Sequence, residues 1–221
     1  MRPILYDISP PLDSRLAVFP GDTPLSREPI LQLEQGDSVT LSTLRASCHV
    51  GAHVDAPSHY DLGGDAVGAR PLGAFLGPCR VIRVSVEPGA LVTLDSVHLA
   101  LRLDGSADDA FPDLPRVLFA TGTYPDPREF RPDFAALCPR MVERMGEAGA
   151  RLVGIDTPSI DPASSTDLQA HRAVARHDMN ILEGVVLDDV PSGVYELIAL
   201  PLRLTEFDGS PVRAVLRELR R

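Results

Sequence analysis

The 221-residue chain has no tryptophan, and aromatic residues make up only 5% of it. Any site or core that uses large rings must draw on seven phenylalanines and four tyrosines. The three cysteines, Cys48, Cys79 and Cys138, are too few and too scattered for a disulfide framework or a Cys-rich zinc finger. They read as small buried apolar residues. Basic side chains are also short, with 21 Lys and Arg against 31 Asp and Glu and a net charge of −10. Nucleic acid and anionic membranes both demand a basic face, so neither is an expected partner. No apolar run approaches the roughly eighteen residues of a membrane span. The first residues, Met1-Arg-Pro-Ile-Leu-Tyr-Asp7, put an acid where a secretory leader would carry its apolar stretch. A cytoplasmic location is the expectation.

What is present suits a globular protein. Apolar residues reach 44% and charged residues 24%, enough to bury a real core. Gly/Ser linkers, repeats and Lys/Arg blocks are missing, so residues 1–221 are expected to form a single domain. Strands are expected at Tyr6–Ser9, Ser38–Ser47, Arg80–Val86, Val117–Thr121, Leu152–Asp156, Gly184–Leu187 and Glu196–Leu204. Phe19-Pro-Gly-Asp-Thr-Pro24 reads as a turn or loop. Helices are expected at Thr93–Leu101, capped by Thr93 or Asp95, and at Pro139–Ala148, with Pro at its start and Gly149 at its stop. A third should begin with Ser165 or Thr166 as cap and carry Leu168, His171 and Val174. Leu103–Pro115, rich in Asp, Gly and Pro, reads as an exposed excursion. Strands interleaved with helices give an α/β domain with a mixed sheet.

The segment that carries chemistry is Cys48-His-Val-Gly-Ala-His-Val-Asp-Ala-Pro-Ser-His-Tyr60. Three of the six histidines, His49, His53 and His59, fall within eleven residues with Asp55 among them. Neutral imidazole and carboxylate are donors that zinc and manganese both accept. A helix is a poor host for them, because Val50, Gly51, Val54 and Pro57 all disfavour one. An extended chain puts His49, His53, Asp55 and His59 on one side, yet spreads four residues over roughly 13 Å. Donors of one ion must lie within roughly 3–4 Å of each other. The chain must therefore bend, and Gly51 is the residue able to allow it. His98, in an expected helix, reads as solvent-facing. Further donors have to come from elsewhere, with Asp156, Asp161, His171, His177 and Glu183 all open on residue chemistry alone.

The run His49-Val-Gly-Ala-His53-Val-Asp55-Ala-Pro-Ser-His59-Tyr resembles the signature of the metal-dependent, cyclase-like hydrolases. Tyr6-Asp-Ile-Ser, Phe19-Pro-Gly-Asp-Thr-Pro24, Ile155-Asp-Thr-Pro-Ser159, Glu196-Leu-Ile-Ala-Leu-Pro-Leu-Arg203 and Ser210-Pro-Val-Arg-Ala-Val-Leu-Arg217 are similar to the kynurenine-formamidase branch. The resemblance implies one compact α/β domain with a closed or nearly closed mixed sheet, peripheral helices and homodimeric assembly. It implies two zinc ions per chain, with Mn2+ an open substitute. His49, His53 and Asp55 are then ligands of one ion, and Asp55, His171 and Glu183 of the other. His59 matches the proton-transfer residue. Phe19 falls where a bulky aromatic, often Trp, lines the substrate pocket, and here the ring is smaller. The implied activity is hydrolysis of N-formyl-L-kynurenine to L-kynurenine and formate in tryptophan degradation. The alternative is another amidohydrolase of the family, acting on a cyclic, isatin-like amide or a different aryl or acyl amide.

Overall fold

Alternate residues of the central strands have two apolar layers to fill, and this sets the architecture. In the computed structural model, which describes residues 4–105, 111 and 114–219, nine strands form one large curled mixed sheet. In chain order the strands are β1 (Leu5–Asp7), β2 (Ser26–Leu31), β3 (Leu41–Arg45), β4 (His53–Asp55), β5 (Leu76–Arg83), β6 (Leu91–Val92), β7 (Arg116–Ala120), β8 (Ala136–Leu137), β9 (Leu152–Ile155), β10 (Asn180–Glu183), β11 (Gly193–Ile198), β12 (Gly209–Pro211) and β13 (Val215–Glu218). The helices are α1 (Leu94–Leu103), α2 (Pro139–Glu147) and α3 (Gln169–Arg176). The large sheet runs β1-β13-β11-β5-β7-β9-β10-β4-β12, with β2–β3 and β6–β8 paired apart from it. Strands β5, β7, β9 and β10 are parallel, and the other neighbours in the large sheet are antiparallel.

The expected α/β class with a nearly closed mixed sheet holds as a half-barrel. On β7, Val117 and Phe119 pack with the buried faces of the three helices, while Leu118 and Ala120 join the layer on the opposite face. The same alternation on β10 sends Ile181 to the helices and Leu182 away from them. Helix α1 starts as expected, with Thr93 and Ser96 in a reciprocal capping box. Helix α2 starts at Pro139 and buries Met141, Val142 and Met145.

Several boundaries move. The expected strand Gly184–Leu187 is instead β10, four residues earlier. Gly184 takes φ +65° and ends the strand, and Val185 and Leu187 are buried in an irregular segment. Helix α3 begins later than Ser165 or Thr166, because Leu168 sits at φ +46° and the Asp161 carboxylate receives the N–H groups of Ala170 and His171. Of Ser38–Ser47 only Leu41–Arg45 is strand, and it pairs with β2 in a hairpin that leaves Val39 and Leu41 exposed. Much of the Leu103–Pro115 excursion lies outside the described residues. Cys79 is buried, Cys48 and Cys138 are half-buried, and all three are free thiols.

Candidate metal and catalytic site

The site forms where β4 and β10 run side by side. Their register sets Glu183 opposite His53 and Ile181 opposite Asp55. Partners in register point to one face, so His53, Asp55 and Glu183 share the face that Ile181 presents to the helices. Helix α3 lowers His171 onto that face, with Nε2 3.3 Å from Asp55 Oδ2 and 3.7 Å from Glu183 Oε1. His53 Nε2 lies 3.4 Å from both Asp55 Oδ1 and Glu183 Oε2. All four side chains are buried.

The chain bends before β4 at Gly51, whose φ is +64°. That bend brings half-buried His49 back to the cluster, with Nδ1 2.9 Å from Asp55 Oδ1. Gly184 closes against the same bend. A Cβ there would stand 2.3 Å from the Gly51 carbonyl oxygen. Sites such as these hold shape through outer hydrogen bonds. His53 Nδ1–H donates to the Gly51 carbonyl at 2.9 Å, and His171 Nδ1–H donates to Asp161 at 2.7 Å. Glu183 Oε1 accepts the Ile160 N–H at 2.7 Å. Each buried imidazole therefore turns Nε2 inward.

The electrostatics are those of a cation site. Burial by itself would depress the His53 imidazole, but hydrogen bonds to Asp55 and Glu183 and their charges outweigh it and hold His53 at about 10. His171 is likewise opposed by burial and raised to about 10 by Asp161, Asp55 and Glu183. Burial would raise Asp55, yet His171, His49 and His53 hold it well below the usual carboxylate range. Among the described residues, two sets each have their donor atoms all within 4.8 Å of one another, His53/Asp55/Glu183 and His49/Asp55/His59. Mixed imidazole and carboxylate donors fit zinc or manganese, and Asp55 belongs to both sets.

His59 is exposed at the end of a short turn, Pro57–His59, its ring centroid 4.2 Å from that of His49 and 6.2 Å from that of His171. Its position allows either ligation or proton transfer. Beside the cluster opens a cleft lined by Phe19, Tyr124, Phe130 and Val185, with His49 and His53 at its floor. Phe19 contacts Phe130 edge-on with centroids 4.9 Å apart, so it packs within the wall as well as lining it.

Other sequence candidates fall elsewhere. His177 caps the C-terminal end of α3 and pairs with Glu143 of α2 at 2.6 Å. Asp156 lines the cleft, but Thr121 Oγ1 and the N–H groups of Thr121 and Gly122 already engage its carboxylate, whose pKa burial raises. His98 is half-buried on α1 and belongs to neither donor set. Sequence reasoning missed Asp208. Its Oδ2 lies 3.1 Å from His49 Nε2 and 3.4 Å from His59 Nδ1.

Comparison with known proteins gives the family. The model of the family described as "Putative cyclase" matches residues 6–162. The chain belongs to the cyclase family. A kynurenine formamidase of Bordetella petrii is 47% identical over 215 residues, covering 97% of this chain and 98% of that protein. A solved structure described as a predicted metal-dependent hydrolase from Bacillus stearothermophilus is 26% identical, with a TM-score of 0.78 over 99% of this chain and 100% of that one. Isatin hydrolase A from Labrenzia aggregata shares the fold at 22% identity and a TM-score of 0.80, covering 99% of this chain and 94% of its own.

Proposed function

We propose that this cyclase-family chain hydrolyses N-formyl-L-kynurenine to L-kynurenine and formate, as a metal-dependent amide hydrolase of tryptophan degradation. The observation that supports this most is the convergence of His49, His53, Asp55, His171 and Glu183 beneath an aromatic-lined cleft. The 47% identical formamidase supports the choice of substrate. We assign two zinc ions per chain, His49, His53 and Asp55 holding one and Asp55, His171 and Glu183 the other; the donor atoms as they stand group differently around Asp55, His53 with Glu183 and His49 with His59. Bound divalent ions supply Lewis acidity, lowering the pKa of water and polarising a carbonyl.

The reaction adds water across the formyl amide. A C–O bond forms, the C–N bond breaks, and a proton from the water must reach the departing aryl nitrogen. His59 carries it, because an imidazole can accept a proton at one nitrogen and donate one from the other, and its ring stands beside His49 at the open side of the cluster. Phe19 and Phe130 border the aryl ring and exclude water from it. Asp161 keeps His171 oriented.

We further propose a cytoplasmic homodimer. Among the described residues no helix is long and apolar enough to cross a membrane. The β2–β3 hairpin stands apart from the large sheet and exposes Ile30, Leu41 and Leu44 by 52%, 51% and 70%. A lone hairpin is marginal, and apolar side chains exposed on both of its faces suit burial against a partner.

The test is turnover of N-formylkynurenine against a panel of simple aryl formamides and cyclic amides. The reading expects N-formylkynurenine to have the highest kcat/KM. A cyclic amide turned over faster would replace it with the isatin-type alternative.

A further inference from the structure

The loop after Leu204 brings a carboxylate to the two histidines that stand at the mouth of the cluster. Asp208 Oδ2 accepts from His49 Nε2 at 3.1 Å and from His59 Nδ1 at 3.4 Å. The backbone holds it there. The Ala56 N–H donates to the Asp208 carbonyl at 2.8 Å, and β12 starts at the next residue with Gly209 opposite Asp55. The approach is so close that a Cβ on residue 209 would stand 2.8 Å from His49 Cε1. Residue 209 is glycine.

We propose that Asp208 is a positioning residue that sets the tautomer and orientation of His59. A carboxylate accepts hydrogen bonds only, so each ring must present it an N–H. His49 stands between two carboxylates, Asp55 at Nδ1 and Asp208 at Nε2, so Asp208 alone does not set its tautomer. His59 keeps its Nε2 lone pair free of Asp208, ready to receive a proton. A histidine base held by a buried or half-buried carboxylate works because its tautomer and orientation are fixed beforehand. The inference rests on His59 being the proton carrier, as proposed above.

The experiment uses the chain saturated with zinc, comparing wild type with Asp208→Ala and Asp208→Asn. Zinc per chain, kcat and KM for N-formylkynurenine, and the ring 15N shifts of His59 are measured. Asp208→Ala should keep its zinc, lose about tenfold to a hundredfold in kcat, and leave KM within about twofold. The His59 ring should shift from the Nδ1–H form toward a mixture. Asp208→Asn retains an acceptor oxygen and should recover part of kcat. In a His59→Ala background, Asp208→Ala should cost less than about twofold, because the group it positions is gone. Activity lost only in proportion to zinc would overturn the proposal, leaving Asp208 as a support for His49 alone. Unchanged His59 shifts, or an equal penalty without His59, would overturn it as well. Should wild type fail to turn over N-formylkynurenine, the substrate reading falls, while zinc content and ring shifts still decide the role of Asp208.

Discussion

His53 and His59 belong to one short segment yet meet different surroundings, and those surroundings predict different failures. His53 is buried between Asp55 and Glu183 with its other nitrogen tied to the Gly51 carbonyl. His59 is exposed, bonded to Asp208 and stacked beside His49. His53→Ala should therefore lose metal and activity together. His59→Ala should retain most of its metal while kcat falls by roughly 10² or more, the scale of general acid–base help. Metal analysis beside kinetics reads both, and release of metal from His59→Ala as from His53→Ala would make His59 a ligand. Phe19 presents a second contrast. It touches Phe130 and Phe134 while lining the cleft, so it supports the wall and also offers a ring to the substrate. Phe19→Ala should lower kcat/KM for N-formylkynurenine by about tenfold to a hundredfold, the loss of a contact worth roughly 1–3 kcal/mol. A formamide without a ring should suffer much less, with metal content unchanged. Equal losses on both substrates would reduce Phe19 to a wall residue.

At the scale of elements, the site depends on how β10 ends and β4 begins. Gly184 and Gly51 both take positive φ, and a Cβ on Gly184 would collide with the Gly51 carbonyl at 2.3 Å. That carbonyl is the partner of His53 Nδ1. Gly184→Ala should thus cost at least about 1–3 kcal/mol from the left-handed backbone alone, lower the Tm by several degrees, and loosen the metal. Gly149→Ala supplies the control. Its φ is +87° with nothing within 4 Å of the added Cβ, so it should lose stability and keep its metal. The same junction shows what the sequence could reveal. The bend at Gly51 was legible, since His49 and Asp55 can share an ion only if the chain turns there. The end of β10 was not, because Gly184-Val-Val-Leu187 has the β-branched content of a strand while Asn180 and Glu183 look like its polar flanks. In fact those polar residues are buried, Glu183 facing His53 and Asn180 bonded to Arg70. Asp208 was invisible for another reason. It lies 159 residues from His49, in an Asp-Gly pair that reads as an ordinary turn.

At the scale of the whole molecule, the donor set couples metal, protons and stability. The cluster joins β4, β10 and α3, so a cation bound there ties the sheet to its helical layer. Without a cation the same donors hold protons, with His53 and His171 both raised to about 10. Zinc needs those imidazoles neutral, so metal uptake must displace protons. Near pH 7.5, titrating zinc into chelator-stripped protein should release about two protons from His53 and His171 per cluster filled, seen as a heat that varies with the ionisation enthalpy of the buffer. Apparent affinity should rise with pH toward about 10 and flatten above it. The sign for the stripped protein is opposite. A histidine whose folded pKa is raised contributes stability that is complete below about 6.5 and disappears as pH climbs through about 10. Stripped protein should therefore lose Tm between pH 7 and pH 10.5, while zinc-loaded protein, whose donors no longer depend on those protons, should lose less over the same range. Adding free zinc at a hundred times its Kd should stabilise by about 2.7 kcal/mol, roughly 5–10 °C for a chain of this size. Zinc uptake that releases no protons, or stripped and loaded proteins with the same Tm profile against pH, would mean that the buried His/Asp/Glu cluster is not where the metal sits.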